Sequence, residues 1–203
     1  MCIRGWDIRQ ASKVPAVHLK GFVYFPTSLT QSSSSGAGKL LAAGCKGFNK
    51  NGCEIKLFEL RGGRGGDSKS PPLLQQQLTG HEHDVTGIQF MQNCRADGKC
   101  GGEGGQEMLL SVSRDGYMRR WEGFSRSSGG AVGAEVISKR FLPSNRSSYT
   151  CLDSWQGMFM DRNEADEGEG GGYCALGDIN GSVHVVDCEG RVVHSTAPGV
   201  DVD

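Results

Sequence analysis

Short apolar-rich runs punctuate the chain, each bounded by Gly, Asn or Asp. They read KLLAAGC at Lys39–Cys45, CEIKLFEL at 53–60, DVTGIQF at 84–90, LLSVS at 109–113, YCALGD at Tyr173–Asp178 and SVHVVD at 182–187. Runs of this length with turn residues at their ends predict β-strands. In 109–113, Leu109, Leu110 and Val112 mix with Ser111 and Ser113, so strict alternation is blurred. A central strand covered on both faces has that pattern. Asp115-Gly116 and Asn180-Gly181 read as two-residue hairpin turns, where Gly and Asn or Asp tolerate positive φ. Gly52 has a similar part in the longer loop before Cys53. The pattern predicts an all-β protein.

The most informative stretch is 80–122. Gly80-His81 opens it, strands follow at 85–90 and 109–113, Asp115-Gly116 turns the chain, and Trp121-Glu122 closes a third strand. These residues in this order resemble one blade of a WD-repeat (WD40-type) β-propeller. Three other segments echo it. Trp6-Asp7 stands at the end of a third strand, Phe58-Glu59 holds the Trp-Asp place in a second unit, and Val186-Asp187 holds it in the last. The resemblance implies a partial propeller of about three four-stranded blades plus the end of another. The expected divisions are 1–12 for the end of a blade, then blades at 17–61, 80–123 and 148–196. The markers lie farther apart than the usual roughly 40–45 residues. Gly-, Ser- and charge-rich segments at 62–78, 94–106, 124–147 and 161–172 are expected to be flexible inserts. A propeller ring takes about 4–8 blades. The expectation is therefore that this is part of a longer propeller, or that a partner or second copy completes the ring.

Charge narrows the partner class. The chain of 203 residues carries 22 Lys+Arg against 23 Asp+Glu. Such a balance leaves no global footprint for nucleic acid or an acidic membrane. No apolar run approaches the ~20 residues that cross a bilayer as a helix, and the first ten residues lack a signal-peptide core. The 8 Cys are scattered with no CxxC spacing. They read as reduced thiols, which points to cytosol or nucleus.

In the WD-repeat family a loop His, a strand Ser or Thr, a turn Asp and a strand Trp share one hydrogen-bond network. The matching positions are His81, Ser111, Asp115 and Trp121, which supply a two-sided imidazole, a hydroxyl, an acceptor and an indole N–H. His, Asp and Ser also invite a hydrolytic triad, but triads are recognised by geometry, so the structural network is the stronger reading. The other two blades lack most of it, with Phe58 and Val186 in the Trp place and Leu176 in the Ser111 place, and are expected to rely on apolar packing alone. Trp6-Asp7-Ile8-Arg9 is similar to the WDxR box through which some WD-repeat proteins dock on a cullin-RING ligase adaptor. Arg9 matches, Arg61 matches loosely, and an ordinary solvated surface arginine is the commoner explanation.

Neither metal nor cofactor is expected. His81, His83, Cys94 and Cys100 lack a zinc-finger spacing, and 161–172 lacks an alternating calcium-ligand series. Gly36-Ala-Gly-Lys39 lacks two defining residues of a phosphate loop. Arg119 and Arg120 alternate across a strand and cannot both follow one phosphate track. The functional expectation is a non-catalytic scaffold for proteins or peptides on the propeller faces. The alternative is a substrate receptor of a cullin-RING ubiquitin ligase, and a propeller hydrolase is the remote third.

Overall fold

The computed structural model describes residues 1–6, 9, 13–32, 39–60, 73–92, 107–122, 135–141, 149–155, 173–187 and 191–196. Every regular element among them is a strand. β1 (Ile3–Gly5) and β2 (Val17–Leu19) form a two-stranded antiparallel sheet. β3 (Pro26–Gln31), β4 (Lys39–Cys45), β5 (Ile55–Leu60) and β6 (Leu73–Leu78) form a four-stranded meander. β7 (Val85–Gln92), β8 (Glu107–Ser113), β9 (Tyr117–Glu122) and β10 (Glu135–Phe141) form a second, and β11 (Tyr149–Trp155), β12 (Tyr173–Asp178), β13 (Val183–Asp187) and β14 (Val192–Thr196) a third. Each pairs only sequential neighbours, antiparallel throughout. The all-β, bladed architecture is therefore present, as three four-stranded blades and a two-stranded sheet.

Two of the expected inserts contain strands. β6 lies inside 62–78 and β10 inside 124–147, and they are the fourth strands of their blades. The sequence LLQQQL was hard to read because an outer strand needs little apolar surface. Leu78 is buried, while Leu74 and Gln77 are exposed. Segments 94–106 and 161–172 lie outside the described residues.

The hairpin turns also differ in type. Among the described residues only Asn49 and Lys50 are non-glycines with positive φ, at 47° and 66°. They close a two-residue turn under the Phe48↔Asn51 bridge. Asp115 and Asn180 instead precede the positive-φ glycines Gly116 (78°) and Gly181 (83°). Gly116 N–H donates to Ser113 O at 3.1 Å. This is the longer hairpin loop in which the glycine alone takes the left-handed conformation.

Packing runs blade to blade. β1, β2 and Phe22 cover one face of β4–β5 through Leu19, Leu41, Ala43 and Phe58. The other face of that blade supplies Leu40, Ala42, Ile55 and Leu57, which meet Val85, Ile88, Leu109 and Trp121 of the next. The far face of β8–β9 supplies Met108, Leu110, Val112 and Met118, which pack on Cys174, Leu176 and Val186. β8 is thus buried on both sides, which explains its blurred alternation. The blades approach closely at Gly44, where an added Cβ would run into Ser28 Oγ and come within 2.8 Å of Val85 Cγ1.

Candidate functional site

The loop 79–84 opens the β7–β10 blade and lays His81 over β8 and β9. His81 Nδ1 lies 3.0 Å from Asp115 Oδ2, and its Nε2 lies 2.8 Å from Ser111 Oγ. Trp121 Nε1–H donates to the same Ser111 Oγ at 2.8 Å. A carboxylate only accepts, so Nδ1 carries the proton and Nε2 accepts from the serine hydroxyl. The proton order is then Trp121 to Ser111 to His81 to Asp115, each polar atom used. Asp115 also accepts from the Glu82 and Tyr117 amides, both at 2.9 Å. The four residues that the resemblance singled out are thus joined in one hydrogen-bonded chain.

Burial pushes the His81 pKa below its ordinary value; the hydrogen bond and charge of Asp115 oppose this, and Arg119 adds to the lowering. Burial alone would raise Asp115, but His81 and the two amides overcome it and leave the carboxyl below its ordinary value. The pair is therefore neutral imidazole beside carboxylate at neutral pH. Ser111 is fully buried and His81 nearly so. No substrate atom reaches that hydroxyl, so this Ser–His–Asp set is architecture and not a triad.

Strand register brings out a correspondence that the sequence reading missed. Ser111 faces Arg119 and Leu109 faces Trp121 across β8–β9. In the preceding blade Ala43 faces Lys56 and Leu41 faces Phe58. Phe22, Ala43 and Phe58 thus stand where His81, Ser111 and Trp121 stand. The Phe22 and Phe58 rings meet at a tilt with centroids 5.8 Å apart, and His81 and Trp121 meet edge-on at 6.4 Å. The polar relay of one blade is an apolar plug in the other.

The position two before the Trp place is polar in all three blades, which corrects the expectation of apolar packing alone. Arg119 Nη2 donates to Gly80 O, and Lys56 Nζ donates to Gly21 O, the matching carbonyl one blade earlier. Both basic groups are buried. Lys56 further meets buried Glu54 at 3.5 Å, and Arg119 lies 3.8 Å from Asp115 and 4.9 Å from the Tyr117 ring. In the last blade His184 takes the place. Its Nε2 lies 3.5 Å from Asp178 and its Nδ1 lies 2.8 Å from Ser195 Oγ, tying β14 to the turn. The signal was available as a Lys, Arg or His two residues before Phe58, Trp121 and Val186.

The partner-binding candidates divide. Trp6 is exposed at 54 %, and Arg9 is exposed. Asp7 and Arg61 lie outside the described residues. Among the described residues no group of three His, Cys, Asp or Glu could hold a metal ion, and no helix is long and apolar enough to cross a membrane.

No family profile and no curated protein sequence matches the chain. Solved structures do. Sqt1 from Chaetomium thermophilum superposes with a TM-score of 0.52 at 14% identity, covering 86% of this chain and 36% of that one. The Cps50 (Swd1) β-propeller domain of Myceliophteria thermophila gives 0.48 at 13% identity, covering 86% and 42%. A further Sqt1 structure, bound to the N-terminus of the ribosomal protein L10, gives 0.49 at 15% identity, covering 86% and 38%. The chain spans little more than a third of the Sqt1 chain's length. Together with the all-β blades, the likeness to Sqt1 shows the fold: part of a WD40-type β-propeller.

Proposed function

We propose that the chain is a non-catalytic WD-repeat scaffold that binds protein or peptide segments on its propeller faces. The observation that carries this reading is the fate of the polar side chains. The set with the chemistry for catalysis is sealed inside a blade and spent on architecture, while the loops at the blade ends carry exposed side chains. A rigid frame whose buried polar groups are bonded to one another, with varied loops, suits recognition. Sqt1, which shares the fold, has been solved with a ribosomal protein segment bound, a mode that fits this scaffold. A serine-directed fluorophosphonate probe and quantitative crosslinking in cells test the reading. We expect no labelling at serine and a recurrent protein partner crosslinked to loop residues. Stoichiometric labelling of one serine would overturn it.

The exposure of Trp6 and Arg9 favours the second reading, docking on a cullin-RING ligase adaptor through Trp6, Asp7 and Arg9. An arginine at such a contact makes charge-assisted hydrogen bonds. Arg9→Ala should weaken adaptor binding by about 2–5 kcal/mol with no change in melting temperature. Equal adaptor binding by the wild-type chain and Arg9→Ala would remove this reading.

A further inference from the structure

Two connections meet at one end of the β3–β6 blade. Residues 20–25 lead into β3, and 46–54 join β4 to β5. Antiparallel pairing of Pro26 with Cys45 sets them side by side. Both are braced. Phe22 is buried against Phe58, and Lys56 holds Gly21 O. The Tyr24 ring lies so close to Gly52 that an added Cβ would meet it at 2.5 Å. Lys46 N–H donates to Phe25 O at 2.9 Å. The 46–54 loop also leans on the next blade. Gly47 N–H donates to Asp84 at 3.1 Å, Lys50 N–H to Glu82 O at 3.1 Å, and the Lys50 ammonium meets the Glu82 carboxylate at 2.9 Å.

This braced pair of loops presents apolar side chains to solvent. Phe48 is 65 % exposed, Val23 58 % and Phe25 47 %. Lys46 Nζ sits 4.8 Å from the Phe25 ring centroid and, among the described residues, meets no carboxylate. The acids beside it are already taken: Glu82 by Lys50, and Asp84 by Gly47 N–H and Arg114 at 3.7 Å. Lys20, on the first loop, is exposed as well. The surplus charge on these two loops is therefore positive.

We infer that this surface, built from Val23, Phe25, Lys46 and Phe48, is a docking site for an acidic protein segment carrying an aromatic or branched aliphatic anchor. This rests on the scaffold reading above and gives it a location and a ligand chemistry. Apolar anchors supply affinity in proportion to the area that they lose to water. Ordered loops spare the complex the entropy of fixing them. Complementary charge excludes basic segments.

Three short synthetic peptides serve as probes: Glu/Asp around a central Phe-Leu, the same with Lys for each acid, and the acidic peptide with Ala-Ala at its centre. Each is titrated into the isotopically labelled 203-residue chain. The first should perturb the amides of 20–25 and 46–54, and the other two should bind at least about tenfold more weakly. Phe48→Ser and Lys46→Glu, both at exposed positions, should each weaken the first peptide by about tenfold or more with an unchanged circular dichroism spectrum. Trp6→Ser should leave it unaffected. Perturbations mapping elsewhere on the blades would overturn the site while leaving a peptide-binding scaffold in place. Equal binding by Phe48→Ser and wild type, preference for the Lys peptide, or no binding by any of the three would also overturn it.

Discussion

Ser111→Ala removes one oxygen atom and leaves almost no cavity, so its cost reports the relay directly. Two buried partners lose their bond: Trp121 Nε1–H at 2.8 Å and His81 Nε2 at 2.8 Å. Each stranded buried group costs about 1–3 kcal/mol. Because the two share one site, the total should come to about 2–4 kcal/mol. For a chain of this size that lowers the melting temperature by roughly 5–15 °C. The neighbouring blade says how the loss is recovered. It carries Phe22, Ala43 and Phe58 at the same three places, all buried. Replacing all three together leaves none of Ser111, His81 and Trp121 stranded, although Arg119 Nε loses its 3.3 Å contact with His81 Nδ1. Asp115 keeps the Glu82 and Tyr117 amides and its approach to Arg119. His81→Phe/Ser111→Ala/Trp121→Phe should therefore be no less stable than Ser111→Ala alone, within about 1 kcal/mol, the usual margin for volume-matched core changes. Urea titration followed by circular dichroism measures both, since Trp121 is lost as a fluorophore. A triple variant whose loss equals the sum of its three single losses would refute the picture of one shared relay.

Three further outcomes are expected. Above pH 6.5, the ordinary value for His81, the imidazole is neutral in both states and its contribution is complete. As pH falls below 6.5 the unfolded chain takes up a proton that the buried ring resists, so stability drops through the folded value. Urea midpoints between pH 8 and 5 should show this drop, and His81→Phe should flatten it; the Asp115 part is lost only below about 3.8. Lys56→Met strands buried Glu54 and should cost about 3 kcal/mol or more, whereas Lys56→Met/Glu54→Gln should regain most of it, as denaturant titration would show. Gly44→Ala forces a Cβ against Ser28 and Val85 where two blades meet, and should cost about 1–3 kcal/mol in the same assay.

The bladed fold was legible because the central strands carry it. β8 is buried on both faces and β12 on one, so the apolar runs in 109–113 and Tyr173–Asp178 stood out. The fourth strands were hidden for the opposite reason, as the glutamines of β6 show. The relay was legible through its four residue types. Its apolar counterpart was not, because Phe22, Ala43 and Phe58 carry no mark of a shared position until strand register aligns them. The buried basic position escaped notice because Lys, Arg and His on a strand ordinarily signal a solvent face. Here the carbonyl of a blade-opening glycine accepts the proton in two cases, and Asp178 faces the histidine in the third. The surface around Phe48 was invisible as well. KGFNKNG reads as a polar loop, and only its bracing against Glu82 and Asp84 turns it into a fixed platform.

The bonds from Lys56 to Gly21 and from Arg119 to Gly80 reach back 35 and 39 residues. Each fastens a third strand to the loop that precedes the first. The first three strands of a blade are thus tied back to the loop that opens it by a bond within their own stretch of sequence. Translation would deliver such units one at a time. The clasp at Gly21 can shut as soon as Lys56 clears the ribosome tunnel, while Arg119 is still unmade. Nascent chains stalled once the residues up to Leu60 have left the tunnel should then already protect the β4 and β5 amides from hydrogen exchange, and Lys56→Met should abolish that protection. The polypeptide would emerge as a sequence of clasped links, each offering a finished flank on which the next can form.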